Sequence, residues 1–500
     1  MNILFYTFLA VSLLFLTTSN RLDKKGYYVL KTIGYIVLAL SIIYSYFFKQ
    51  IDELSLVFGL SATYISLLTS LYSREYVIKK GFPKYTVLLI DLFTYTMIVS
   101  YASPNIIGLA IAWSIAEIIG YELVSIGVKH SLEGYTKAST LFLFLSTFTF
   151  KLSVFTIIYT YLYSYTSSLT TTFLDILNRV LFTSFRELSL DKLIAPDYLI
   201  ILSTIGFIVK SAQIPLHFWL VSAHTSAPSP ASALLSGITT SMGVYGLLRL
   251  NTIFEIPVTI LYTLLTISIV SIIYSGIQAI IQRDGKQLLA YSTILGNGFS
   301  IILFIYYSYL KSIEIYPILL VTVLSHMGYK STLFLDIGLV EEIFGFRFIH
   351  RIRGLNNIIP YSTIGSVIAI LSLIGIPPTT GFTSKLFTIV FTIRDIREPI
   401  VFTILLTTIT YMVLTIKIGF NYIKIHFGSL GNNYRFLFEM KSIEDLQQKI
   451  VFLNSLSNIF FTLVLLLEMN IYGLFIITIL ALSPLLILLL YLLTIVMRRE

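Results

Sequence analysis

Apolar runs of about 18 residues or more recur along the whole chain, and each is long enough to cross the hydrocarbon layer as a helix. About fifteen lie near 1–18, 27–48, 54–72, 85–102, 106–128, 138–163, 198–220, 228–250, 256–281, 286–310, 315–340, 360–392, 400–423, 451–468 and 471–496. A lipid interior leaves no water for unpaired backbone groups, so runs of this kind are predicted to be helices, and the fold class is an all-α polytopic membrane protein. Composition agrees: 56% of residues are hydrophobic and 12% charged, where soluble globules carry about a quarter charged residues. With no cysteine in the chain, disulfides, thiolate-held iron–sulfur clusters and cysteine zinc sites are excluded. The first run lacks a basic lead and a small-residue cleavage site, so it reads as a retained helix.

The net charge of +9 sits in short loops. Alternate loops carry Arg21, Lys24 and Lys25; Arg74, Lys79, Lys80 and Lys84; Lys129 and Lys137; Arg283 and Lys286; Arg347, Arg351 and Arg353; Arg498 and Arg499. The positive-inside rule then places these loops in the cytoplasm and the N-terminus outside. Nucleic-acid binding has no basic soluble face to use. Between the sixth and seventh runs, residues 171–193 hold Phe173, Leu174, Leu177, Val180, Leu181, Phe185 and Leu188 at helical spacing, which predicts a helix lying on the outer membrane surface. Residues 424–449 form the longest polar stretch, a predicted cytoplasmic loop.

Function is sought in the charges that interrupt the apolar runs. Lys210 lies inside the seventh run, five residues ahead of Pro215. A lysine at mid-bilayer costs roughly 2.5–3.5 kcal/mol on insertion scales, so it faces a wet cavity or a carboxylate and marks an ion or proton path. Snorkelling to the interface is the alternative. Pro215 cannot donate to the helical ladder and its ring clashes with the preceding turn, so the helix is predicted to break just beyond Lys210. The twelfth run repeats this design, with Pro377, Pro378 and Gly381 ahead of Lys385. Two interrupted helices with corresponding charges point to an inverted-repeat transporter. On the fifth run, Glu117 and Glu122 are five residues apart and about 140° apart around a helix, so only one can face a given cavity fully. On the eleventh, His326 and Lys330 share a face and suit proton exchange. The role of Lys151, in the sixth run, is open.

The motifs YELVS (121–125), KSAQIPLHFWL (210–220), AHTSAPSPASALL (223–235), RDGKQLLAYSTI (283–294), SHMGYKSTLFLDIG (325–338) and IPPTTGFTSKL (376–386) stand in order over roughly residues 110–390. Together they resemble the antiporter-like subunits shared by complex I (NADH:quinone oxidoreductase), membrane-bound hydrogenases and Mrp-type Na+/H+ antiporters. The resemblance implies a core of about 14–15 transmembrane helices built from two inverted five-helix repeats, with broken helices 7 and 12. It divides the chain into N-terminal helices (1–105), a core carrying the motifs (106–395) and C-terminal helices (396–500). It also implies a proton path in which Glu122 controls Lys210, followed by His326, Lys330 and the exit residue Lys385. Members carry Lys or His on the eighth helix, where this chain has Ser236 and Ser241; the loop after the seventh has Val221 and Ser222 in place of Pro and an acid. His217 and His224 read as positional residues, not metal ligands.

The function so implied is a proton-translocating, non-redox membrane subunit of a complex I-like oxidoreductase. It would hold no cofactor or metal of its own, sit among other membrane subunits and move protons or Na+ across a multi-pass cell membrane, prokaryotic in preference to mitochondrial. The alternatives are membership of a membrane-bound hydrogenase, membership of an Mrp-type antiporter, and a non-conducting structural copy. No phosphate loop, metal-ligand cluster or nucleophilic triad points to a standalone enzyme.

Overall fold

The computed structural model describes residues 3–128, 140–165, 184–188, 192, 194–428 and 445–460. It is all helical apart from loops and one isolated bridge, Asp284 to Phe348. Five helices come first: α1 (Ile3–Ser19), α2 (Lys24–Phe47), α3 (Glu53–Lys79), α4 (Tyr85–Tyr101) and α5 (Ile106–Val128). A π-helical turn, Phe142–Phe148, leads into α6 (Thr149–Tyr165). The seventh run is two helices, α7 (Asp197–Lys210) and α8 (Phe218–Ser226); the eighth is α9 (Ser229–Leu234), a π turn (Leu235–Thr239) and α10 (Ser241–Ile253). Then follow α11 (Val258–Ile281), α12 (Gly285–Leu310), α13 (Ile315–Phe344), α14 (Pro360–Ile374), α15 (Thr380–Arg394), α16 (Pro399–Ile423) and α17 (Asp445–Ser455).

Local chemistry sets the ends. The carboxylates of Asp23, Asp52 and Asp284 accept backbone N–H groups at the starts of α2, α3 and α12, which satisfies donors the first turn leaves free. Pro360 and Pro399 open α14 and α16, where a missing N–H costs nothing. Gly345 and Gly375 close α13 and α14 with φ of 72° and 91°, a left-handed conformation that glycine adopts freely.

Eight described helices are long and apolar enough to span a membrane. Those of α3, α9–α10 and α13 are wholly enclosed and α12 nearly so, whereas α2, α5, α11 and α16 bury about half their surface. The enclosed helices form the centre and the others a surrounding ring whose outward faces are apolar, as lipid contact requires.

Both predicted breaks occur. Residues 211–217 separate α7 from α8, with Ala212 at φ 54°, and residues 375–379 separate α14 from α15. The breaks differ in one respect: Lys210 is the last residue of α7, before its break, whereas Lys385 lies in α15, after its break. Of the predicted surface helix only Ser184–Leu188 and Lys192 are described, with Phe185–Leu188 helical. The run near 471–496, most of the polar stretch 424–449 and the end of the run at 451–468 lie outside the described residues. Helix α17, described over Asp445–Ser455, takes in polar residues ahead of the predicted apolar run and packs against α3 and α14.

Candidate functional site

In the first half, Lys210 and Glu117 are each about 1% exposed and pair at 3.1 Å. One carboxylate oxygen of Glu117 takes three donors: Lys210 Nζ, the Trp113 indole N–H at 3.0 Å and the Ser146 hydroxyl at 2.6 Å. Lys210 also donates to Ser146 at 2.8 Å. The ammonium is ringed by Phe142, Trp113 and Trp219 at 5.4–5.9 Å from the ring centroids. Aromatic faces stabilise a cation where water is excluded. Glu117 Oε2 has no hydrogen-bond partner among the described residues, which leaves the carboxylate one open lone-pair edge.

Here the geometry departs from the sequence expectation. Glu122 is exposed on α5, and Lys210 meets Glu117 instead. The helical offset between the two carboxylates turns Glu122 outward once Trp113 and Glu117, four residues apart on one face, are turned in. Lys151 is likewise exposed, on α6, and does not face Lys210.

In the second half, Lys330 is fully buried and donates to the Leu289 carbonyl at 2.9 Å and to the Ser292 hydroxyl. His326 Nδ1 lies 3.0 Å from the Tyr329 hydroxyl, and its Nε2 is unpartnered among the described residues. Lys385 donates to the Leu373 carbonyl at the end of α14 and lies 5.1 Å from the Tyr411 ring centroid. Its chain crosses Gly375, where a Cβ would sit 2.6 Å from Lys385 Cδ. A cavity of about 10 Å³, room for roughly one water, is lined by His326, Lys385, Ser325, Ser372 and Ser384.

The two halves meet on α12. Leu289, Ser292, Thr293, Gly296 and Asn297 recur at helical spacing and form one face. Leu289 and Ser292 receive Lys330; Thr293 bonds Ser236 at 2.7 Å; His326 packs against Gly296; and Asn297 donates to the Ser211 carbonyl at 3.2 Å, one residue past Lys210. Ser236 is thus joined to α12 by a hydroxyl pair. His224 is also buried near this row, stacked on Phe334, with both ring nitrogens unpartnered among the described residues. His217 packs against Tyr274.

A cavity of about 490 Å³ opens beside Lys286, Glu341, Arg347 and Lys80, on the side that the positive loops assign to the cytoplasm. Lys286 bonds the Ala227 carbonyl at 2.9 Å and lies 3.4 Å from Glu341.

Sequence reasoning passed over three buried groups that interrupt apolar runs. Lys31 of α2 pairs with Asp91 of α4, which also takes Asn20 at 3.0 Å and Ser70 at 2.6 Å. Asp336 of α13 pairs with His426 at 3.1 Å. Lys31 and Asp91 each stand alone in an apolar run, and Asp336 shares one with His326 and Lys330, the same signal that marked Lys210.

Residues 103–412 match the family described as NADH:quinone oxidoreductase/Mrp antiporter, transmembrane. The chain is 30% identical over 340 residues to NADH-quinone oxidoreductase subunit L of Rickettsia felis, covering 67% of this chain and 50% of that protein. It is 29% identical over 353 residues to a Na(+)/H(+) antiporter subunit of Alkalihalophilus pseudofirmus, covering 67% and 41%. A chain in the structure of the Mrp complex from Dietzia sp. shares the fold, with a TM-score of 0.71, 15% identity and 97% coverage of both chains. This is a multi-pass helical membrane protein of the antiporter-like class. It belongs to the NADH:quinone oxidoreductase/Mrp antiporter transmembrane family, and it spans half or less of the length of these two curated relatives.

Proposed function

We propose that the chain is a proton-translocating membrane subunit of a complex I-like, NADH/quinone-type oxidoreductase, itself without a redox centre. The observation that carries this reading is the buried Glu117–Lys210 pair, followed in sequence by Ser211, whose carbonyl meets Asn297 on the α12 face that Lys330 and His326 also touch. Burial disfavours a lysine's charged form and an adjacent carboxylate favours it, so a charge brought near Glu117 sets whether Lys210 holds its proton. Ser146, bonded to both, keeps the pair aligned. A proton released from Lys210 passes through water along the polar face of α12 to His326 and Lys330, and leaves by Lys385. Hydroxyls such as Ser236 and Thr293 align a water chain without storing charge.

Glu122 and Lys151, exposed in the apolar ring, are costly against lipid. A neighbouring membrane subunit covers them in the assembly, in a prokaryotic plasma membrane. A second reading, one component of a cation/proton antiporter, is favoured by the antiporter relative and by the shared fold with the Mrp complex chain. The test is proton uptake by inverted vesicles carrying the full assembly. Lys210→Gln abolishes uptake; wild-type uptake in that variant overturns the proposal. Drive by an electron donor, and not by a sodium gradient, selects the first reading over the second.

A further inference from the structure

A second titratable centre lies apart from the row of lysines. Asp336 of α13 and His426, three residues past the end of α16, are both fully buried, with Nε2 to Oδ2 at 3.1 Å. Asp336 also accepts the Ser362 hydroxyl at 2.6 Å and the Tyr422 hydroxyl at 2.9 Å, and His426 Nδ1 meets the Thr363 hydroxyl at 3.0 Å. Three segments, α13, α14 and α16 with its extension, thus converge on one carboxylate and one imidazole. Other titratable groups face the pair: Tyr422 on α16 and Tyr72 on α3, whose hydroxyl donates to the Leu335 carbonyl at 3.0 Å; Lys449 on α17 lies over the ring of Tyr361, the residue before Ser362. Among the described residues, the imidazole within ion-pair distance of Asp336 is that of His426.

The pair is one layer below the surface. Phe427 and Gly428, which follow His426, are exposed, and exposed Asn356 donates its backbone N–H to the His426 carbonyl at 2.9 Å. This is the side that the positively charged loops assign to the cytoplasm. In the other direction a polar seam runs between α13, α14 and α17. Ser366, one turn beyond Ser362, is buried, and its hydroxyl is unpartnered among the described residues; Asn454 donates to Ser331 at 2.8 Å; and the buried side-chain amide oxygens of Asn454 and Asn458 are likewise unpartnered among the described residues. Ser331 is adjacent to Lys330. Thr380 donates to the Asn458 carbonyl at 2.5 Å and begins α15, the helix of Lys385. Buried polar atoms of native proteins are nearly always paired. Unpaired ones in a row mark places for water.

We propose that Asp336 and His426 form a separate cytoplasmic proton-uptake site for the second half of the protein, feeding Lys330 and Lys385 through the seam of Ser366, Asn454 and Asn458. This rests on the proton-translocating reading above. A proton from the cytoplasm adds to the imidazole of His426. The Nε2–H bond then breaks as the proton forms an O–H bond on Asp336 Oδ2, and Asp336 returns to carboxylate when it passes the proton to seam water. No oxidant or further reactant is needed.

The test is the initial rate of proton uptake by inverted vesicles carrying the assembled complex, against external pH between about 5 and 8, where histidine exchanges protons. Four chains are compared: wild type, His426→Gln, Asp336→Asn and Lys210→Gln. Gln at 426 retains a donor to Asp336 but cannot titrate, so it separates proton transfer from packing if Asp336→Asn fails to assemble. A positioned proton-transfer group contributes about a hundredfold at the low end. The expected result for His426→Gln is a loss of that order in the uptake that enters the second half, with a flattened pH profile, while uptake through Lys210 continues. If His426→Gln keeps the wild-type rate and profile while Lys210→Gln stops uptake, the uptake site is overturned and the proposed function stands. A lower rate with an unchanged profile assigns the pair to packing and also overturns it. Normal uptake in both variants removes the proposed function and this inference with it.

Discussion

Neutralising Glu117 tests the geometry most sharply, because the family pattern points to Glu122. The carboxylate and the Lys210 ammonium are 3.1 Å apart, and at an effective dielectric of about 20 their attraction is about 5 kcal/mol. At 1.36 kcal/mol per decade, that is roughly four powers of ten in the population of charged Lys210. Removing one member of a buried pair otherwise leaves an uncompensated charge at a cost of about 3–5 kcal/mol; a lysine avoids this by releasing its proton, so Glu117→Gln is expected to fold and to hold Lys210 neutral. Losing even half of the attraction slows reloading about a hundredfold. The assay is the initial rate of acidification in inverted vesicles, read by a pH-sensitive dye, with assembly checked by thermal unfolding. Glu122→Gln is the control, expected to leave the Glu117–Lys210 pair intact and so to pump well above the Glu117→Gln rate. If Glu117→Gln pumps normally and Glu122→Gln does not, the pairing seen in the structure is not the functional one.

Other consequences follow from the same contacts. Asp91→Asn is expected to destabilise the N-terminal helices by about 3–5 kcal/mol, and the double variant Lys31→Met/Asp91→Leu to recover most of the loss, because it removes both buried charges; thermal unfolding of the single and double variants measures this. A Cβ at Gly381 would sit 1.8 Å from the Ser372 carbonyl oxygen, so Gly381→Ala is expected to cost at least about 1–3 kcal/mol by the same measurement. Burial by itself would raise the Asp52 carboxyl, but the Arg249 guanidinium outweighs it and holds it below its ordinary value of 3.8. The link between α3 and α10 is then fully present above that value and lost as pH falls through the lower, folded-state value. Acid unfolding curves of wild type and Arg249→Gln should therefore converge at low pH and separate at neutral pH.

The fold was legible because apolar run length and loop charge are one-dimensional signals. The breaks at Pro215 and at Pro377–Pro378 were legible because proline acts on its own helix. Lys210, His326, Lys330 and Lys385 were found since a charge in an apolar run stands out wherever it points. Which way a side chain points is a packing outcome. Glu117 and Glu122 look alike along the chain, and only the inward turn of Trp113 and the hydroxyl of Ser146, 29 residues on, separate them. The Asp336–His426 pair needed residues 90 apart to meet, and the polar face of α12 gained meaning only from what the neighbouring helices place against it.

The most direct measurement is proton uptake by vesicles in which Lys330, held between the two halves on α12, is replaced by Gln in an otherwise intact assembly. Since each 1.36 kcal/mol of barrier is tenfold in rate, removing the central proton carrier is expected to slow uptake by at least about tenfold, with assembly and thermal stability retained. Uptake at the wild-type rate would mean that protons cross without using the buried amines.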